Sequence, residues 1–214
     1  MHNNDRSIVV LISGNGSNLQ AIMDNSANGN YRISGVISNK ADAYGLLRAQ
    51  QSNIATQVID HKQYASRDLF DNALAKAIDA YNPGLVVLAG FMRILGADFV
   101  KHYQGRILNI HPSLLPAYPG TNTHQRVLDA GETQHGVSVH FVTEELDGGP
   151  VIAQEAIAIE PTDDADSLAE KIHQKEHILY PTVVSWFADG RLRLDGNDAY
   201  LDERLLPESG ERLS

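Results

Sequence analysis

The chain has 214 residues, 17 Lys and Arg against 27 Asp and Glu, and a formal net charge of −10; 43% of residues are hydrophobic and 21% charged. That is the composition of one globular domain with a full core, and it excludes disordered, collagen-like and fibrous chains. The absence of cysteine excludes disulfides, thiol nucleophiles, Cys-based zinc sites and iron–sulfur clusters, and the acidic balance argues against nonspecific nucleic-acid binding.

The first six residues are polar, and the apolar run Ile8 to Ile12 is too short for a signal-peptide core or a membrane span. A cytoplasmic setting without a membrane partner is therefore expected. Ser7 to Ser13 reads as a strand covered on both faces, because its apolar block is unbroken. A glycine-bearing turn follows, then a helical pattern through Leu19, Ile22 and Met23. A strand at Ile33 to Ser38, a helix from about Asp42 to Gln51 and a strand at Ile54 to Ile59 come next. Ser66 can cap a helix carrying Leu69, Phe70, Ala73, Leu74, Ala77 and Ile78, which Asn82-Pro83-Gly84 stops. Leu85 to Ala89 and Ile107 to Ile110 are two more apolar strands, with a short helix near Ala97 to Tyr103 between them.

This alternation predicts an α/β fold with a Rossmann-like, doubly wound, mostly parallel sheet. The texture then changes. His111 to Thr123 holds Pro112, Pro116 and Pro119 and must be a loop. Val137 to Val142 and Val151 to Ile159 alternate as strands around a turn at Asp147 to Pro150. Asp163 or Asp164 caps a last long helix that Pro181 is expected to kink or end. From Gly190 onward a strand and a surface loop are expected.

Three segments carry chemistry. Gly14-Asn15-Gly16-Ser17-Asn18 lies between the first strand and the first helix. Glycines there let the backbone approach a ligand, and the helix start offers free N–H groups with a partial positive charge, so phosphate is the natural guest. The third glycine of the dinucleotide fingerprint is missing, since position 19 is leucine, and so is the P-loop lysine. The plainer alternative is a tight turn before a helix.

Asn109 and His111 stand two apart at the carboxyl end of an apolar strand and so share a face. Ligands of open α/β sheets sit just beyond such ends. An amide donor and an imidazole donor aimed at one spot suit a developing oxyanion. In Glu144-Glu145-Leu146-Asp147-Gly148-Gly149, a carboxylate in a tight turn can be brought against a histidine, which favours imidazolium. Asp147 could instead cap its own backbone in an Asx turn, and spacing does not choose between the two. His111, His124, His135, His140, His173 and His177 raise a metal reading, but no His-Glu-x-x-His spacing exists and no cysteine can contribute; no metal is expected.

The stretches IVVLISGNGSNLQAI, ISNKADAYGL, VVLAGFMRIL, ILNIHPSLLPAYPG, HGVSVHFVTEELDGGPVIAQ and YPTVVSWFADGRL run from Ile8 to about Leu192. With Asn109-x-His111-Pro112 and Asp147-Gly148-Gly149-Pro150 in place, the chain resembles the phosphoribosylglycinamide formyltransferase family of folate-dependent transferases. The resemblance implies a single formyltransferase-fold domain with an antiparallel carboxyl-terminal portion. Its residues 1–110 would form the nucleotide- and phosphate-binding half, and 111–214 the folate-binding and catalytic half. It implies that Gly16, Ser17 and Asn18 hold the phosphate of glycinamide ribonucleotide and that His173, Gln174, Lys175 and Glu176 contact the same nucleotide. Met92, Arg93, Ile94 and Leu95 would line the pterin pocket, Arg67 would serve the folate, and Thr143, Glu144, Glu145, Leu146 and Asp147 would form a loop over it.

The implied reaction is direct transfer. The glycinamide amine attacks the formyl carbon of 10-formyltetrahydrofolate, Asn109 and protonated His111 stabilise the tetrahedral oxyanion, and Asp147 supports His111 and, through ordered water, the proton transfer. Ser138 and His140 would stand behind these three. Folate is the only co-substrate implied; the partners are small molecules, without nucleic acid, and the protein would be a monomer or weak homodimer. Ala117 and Thr121-Asn122-Thr123-His124 depart from the family's usual forms, in a loop.

Four competitors are weighed. A methionyl-tRNA formyltransferase shares the core but needs a further carboxyl-terminal domain and a basic surface, whereas 22 residues follow Leu192 and the charge is −10. A formyltetrahydrofolate deformylase would carry an added amino-terminal domain. A nicotinamide dehydrogenase wants an acidic residue closing the second strand, where Ser38-Asn39-Lys40 stands. A non-catalytic nucleotide-binding module has no use for Asn109, His111 and Asp147 together.

Overall fold

A computed structural model describes residues 6–213; the polar residues 1–5 and Ser214 lie outside the described residues. The first half winds as β1 (Ser7–Ile12), α1 (Ser17–Asn25), β2 (Arg32–Ser38), α2 (Tyr44–Gln51), β3 (Thr56–Val58), α3 (Arg67–Asp79), β4 (Leu85–Leu88), α4 (Ala97–His102) and β5 (Ile107–His111). The second half adds α5 (Thr123–Asp129), β6 (Gln134–Phe141), β7 (Val151–Ala158), α6 (Ala165–Ala188), β8 (Leu192–Asp195), β9 (Asp198–Leu201) and β10 (Arg204–Leu205).

Seven strands form one sheet in the order β3-β2-β1-β4-β5-β6-β7, parallel as far as β5, with β6 and β7 antiparallel. The apolar runs of β1 and β4 explain its two-sided burial. Ile8, Val10 and Ile12 pack with Leu19 and Ile22 of α1 and Leu179 and Val183 of α6. Val9 and Leu11 face the other way, against Phe70, Leu74 and Ile78 of α3 and Phe99 of α4. The sequence division at 110/111 falls inside β5, and one core contains Ile8, Ile110, Ile152 and Ile172, so the two halves are not separate packing units.

Strand order reverses between β1 and β4, which opens a crevice at their carboxyl ends. In register, Leu11 pairs with Leu88 and Leu88 with Asn109. Asn109 therefore lies two strand spacings, about 10 Å, across from the end of β1, where the GNGSN turn begins.

Several expectations are corrected. The loop after His111 ends in a short helix, α5, which the polar Thr123-His124-Gln125 start conceals. Strand β6 begins at Gln134, ahead of the apolar alternation, because Gln134, His135 and Gly136 pair with Ala158, Ile157 and Ala156 of β7. Pro181 does not end the last helix, which runs to Ala188. Around the proline, the Thr182 hydroxyl donates to the Ile178 carbonyl at 2.7 Å and the Ser185 hydroxyl to the Pro181 carbonyl at 2.8 Å. Leu179, Tyr180, Val183 and Val184 are fully buried around it, and such packing outweighs the local cost of a proline. The tail forms a three-stranded antiparallel sheet, β10-β9-β8, and Glu211 then bonds to Ile152 and Gln154, covering the β7 edge. Among the described residues no helix is long and apolar enough to cross a membrane.

Candidate active site

The GNGSN turn has the geometry that its glycines predict. Gly16 caps α1 in the left-handed region, φ 77°, and has no side chain with which to occupy the first-turn N–H groups. Space demands glycine too, since a Cβ at Gly16 would lie 2.6 Å from the Gly45 Cα. Helix α2 therefore presses on the turn: Gly45 N–H donates to the Gly14 carbonyl, and Arg48 donates to both the carbonyl and the side-chain oxygen of Asn15, each at 3.0 Å.

Behind the turn, α6 brings a buried carboxylate. Asn18 Nδ2 donates to Glu176 Oε2 at 2.9 Å, both residues are buried, and Asn18 Oδ1 has no partner. His173 Nε2 lies 3.9 Å from the same Glu176 oxygen, and its ring stacks parallel to His177 at 6.2 Å. Of the other two residues in that segment, Lys175 reaches Glu155 on β7 at 3.7 Å and Gln174 is exposed.

The catalytic candidates converge on one spot. Because β5 and β6 pair antiparallel, His140 stands opposite Asn109 and Ser138 opposite His111. Asn109 Nδ2 donates to His140 Nε2 at 3.1 Å, and His140 Nδ1–H donates to the Phe141 carbonyl at 2.9 Å. These bonds need a neutral imidazole, which burial provides by lowering the His140 pKa from its ordinary value. Asp147 sits between the histidines: Oδ2 is 3.5 Å from His111 Nδ1, and Oδ1 is 3.7 Å from His140 Nε2.

Asp147 is left-handed, φ 53°, and its Oδ2 accepts from Gly120 N–H at 2.8 Å, so it serves the neighbouring loop and the histidines rather than its own backbone. His111 Nε2–H donates to the Tyr118 carbonyl at 2.9 Å. That carbonyl stands where an oxyanion held by the same N–H would be.

Ser138 works from behind. Its hydroxyl donates to the Ser113 carbonyl at 2.6 Å and accepts from Leu115 N–H and Gln154 Nε2, which pins the loop after His111. Gln154, Tyr118 and Gly120 are the participants that sequence reasoning missed. Gln154 had a signal, being a buried polar position opposite Ser138 on a mostly apolar strand; Tyr118 and Gly120 act through backbone atoms and had none.

Two irregular segments flank Asn109. Residues 91–96 follow β4, and residues 142–150 follow β6. Met92, Ile94 and Leu146 are 69%, 59% and 55% exposed, large apolar side chains that a flat ring could cover. Arg93 is exposed and Leu95 half-buried beside them; Thr143, Glu144 and Glu145 precede Leu146, and Gly148 N–H closes that turn on the Glu145 carbonyl. Arg67 opens α3, next to Gly96 at the end of the first segment.

Known proteins resemble this chain in sequence and in fold. The Formyl transferase family matches residues 6–184. The phosphoribosylglycinamide formyltransferase of Escherichia coli K12 is 54% identical over 95% of this chain and 97% of its own length. Human trifunctional purine biosynthetic protein adenosine-3 is 43% identical over 89% of this chain, which spans 19% of that larger protein. A solved phosphoribosylglycinamide formyltransferase of Coxiella burnetii, in complex with CHES, superposes with a TM-score of 0.94 at 56% identity, covering 97% of this chain and 99% of that one.

Proposed function

The chain belongs to the formyl transferase family, and we propose that it transfers the formyl group of 10-formyltetrahydrofolate to the amine of glycinamide ribonucleotide in purine biosynthesis. It would act in the cytoplasm on small-molecule substrates, as a monomer or weak homodimer. The observation that carries this reading is the convergence of Asn109, His111 and Asp147 at the end of β5, flanked on both sides by segments that expose large apolar side chains and one crevice away from the Gly16 turn.

Each part has a task. The backbone of Gly16, Ser17 and Asn18 receives the nucleotide phosphate, as helix starts do. Glu176, with His173 beside it, anchors the ribose or the amine. The pterin lies between Met92–Leu95 and Thr143–Leu146, and Arg67 offers its cation to the folate. Both substrates then meet at Asn109.

The amine nitrogen attacks the formyl carbon, a C–N bond forms, and the carbonyl electrons move to oxygen. Asn109 Nδ2–H and His111 N–H hold that oxyanion, each contributing about 3 kcal/mol. For His111 to do so through Nε2, the Tyr118 carbonyl must give way to the substrate oxygen. The attacking nitrogen loses a proton, which passes by way of water at Asp147 to the folate nitrogen as the second C–N bond breaks. The chain's contribution is position and fixed charge; tetrahydrofolate leaves.

An absorbance assay of formyl-folate consumption tests the reading with three acceptors in separate runs. Turnover with glycinamide ribonucleotide is expected. Turnover only with charged initiator tRNA rejects it, and turnover with water alone favours a deformylase.

A further inference from the structure

We infer that Ser13 and Asp71 are positioning residues of the folate site: they hold the two ends of the Met92–Gly96 segment, and Asp71 does so from the helix that Arg67 opens. The inference rests on the folate assignment above and adds two residues to it.

Residues 91–96 have no regular structure. Their backbone groups therefore need partners from elsewhere, and any looseness passes directly to whatever they hold. At the first end, Met92 N–H donates to Ser13 Oγ at 2.8 Å. The Ser13 hydroxyl is itself committed, donating to Asn39 Oδ1 at 2.5 Å, and both residues are buried. At the other end, Gly96 N–H donates to Asp71 Oδ2 at 2.7 Å.

Asp71 is a costly way to make one bond. It is 5% exposed, on the buried face of α3 among Phe70, Leu74 and Ile78, and its second oxygen, Oδ1, has no partner. Burying a carboxylate with an orphaned oxygen is expensive, and burial raises the Asp71 pKa. Position gives the return. Arg67 stands one turn before Asp71 on the same helix, and a Cβ built on Gly96 would lie 3.0 Å from Asp71 Oδ2 and 3.6 Å from Arg67 Nε. One carboxylate thus ties the end of the pterin segment to the helix that carries the cation assigned to the folate. A role limited to starting α4, whose cap is Gly96, would show in stability alone.

Ser13→Ala, Asp71→Ala and Asp71→Asn in the full chain test this. Four quantities are read: KM for each substrate, the Kd of tetrahydrofolate without nucleotide, and Tm. Ser13→Ala and Asp71→Ala are expected to raise the folate KM and Kd about tenfold, the loss of one preorganising hydrogen bond. Asp71→Asn keeps an acceptor for Gly96 and should raise them less. The KM for glycinamide ribonucleotide should stay within about twofold, because Gly45 and Arg48 hold the phosphate turn independently.

Unchanged folate constants in folded Ser13→Ala and Asp71→Ala overturn the inference. So does a rise in both KM values together. Should Asp71→Ala fail to fold, Ser13→Ala, which removes one hydroxyl, decides by the same criteria. A wild type that binds folate but does not use glycinamide ribonucleotide overturns the functional reading, while the Kd ratios still decide this one.

Discussion

Asn109 donates its amide N–H to a neutral imidazole, Nε2 of His140, at 3.1 Å. His140 thereby sets which way the Asn109 amide points, leaving its second N–H for a substrate oxygen. Protonating His140 would replace the acceptor with a donor and turn the amide away. The structure meets that hazard with burial, which lowers the His140 pKa, and with Nδ1–H committed to the Phe141 carbonyl. His140→Ala is therefore expected to reduce kcat about tenfold to a hundredfold, as the loss of a buried bond to a reacting group does, while folate KM changes little. A change confined to folate KM would assign His140 to binding instead.

His111 carries the larger share. His111→Ala should lower kcat by about three orders of magnitude, within the range seen when a donor to a developing oxyanion is removed, with folate Kd nearly retained. A large loss of affinity at unchanged turnover would remove the oxyanion role. Since Nε2–H is held by the Tyr118 carbonyl without substrate, binding both substrate analogues should also move the Nε2 proton resonance of His111 in NMR spectra. An unmoved resonance would mean that Tyr118 keeps its bond and the oxyanion is held elsewhere.

Much of this was legible in the chain because the determinants are local. The apolar runs of β1, β4 and β5 specify strands covered on both faces, and Gly14-x-Gly16 at a strand–helix junction specifies a turn, in which Gly16 is the position that only glycine fits. The spacing of Asn109 and His111 puts them on one face. What was not legible depends on contacts between distant segments. Asp147 had two readings until the approach of Gly120 and His111 chose one. Helix α5 has a polar start, and the helix-breaking tendency of Pro181 is overruled by the buried Leu179, Tyr180, Val183 and Val184 around it. Tyr118 and Gly120 act through atoms that every residue has, so no side-chain pattern could mark them.

Gly16→Ala should raise the KM for glycinamide ribonucleotide and lower Tm together. Alanine is strained at φ 77°, and its Cβ would meet the backbone of Gly45 at 2.6 Å, which no side-chain rotation relieves. Helix α2 or the turn must shift. A loss of tenfold or more in nucleotide affinity is expected, since phosphate is held by backbone N–H groups in fixed directions. Folate Kd, measured without nucleotide, should be unaffected; an equal loss there would mean that the whole crevice had collapsed.

Stability should fall in mild acid, and His135 is one identified cause. It is buried, its Nε2 lies 2.9 Å from Nδ1 of His124, and burial followed by the charges of His124 and His111 pushes its pKa from 6.5 down to about 4. Between those values the unfolded chain binds the more protons. This contribution is therefore fully present above pH 6.5 and is lost as pH falls toward 4. It amounts to about 3 kcal/mol. His124 and His140, also lowered by burial, act in the same direction. Asp163, held near 2 by the Lys171 ammonium, is lowered like them and loses its contribution only below about 3.8. Urea unfolding of the wild type at pH 7, 5.5 and 4.5 should show the decline, and His135→Gln should flatten it. An identical pH dependence in His135→Gln would place the acid sensitivity in other groups.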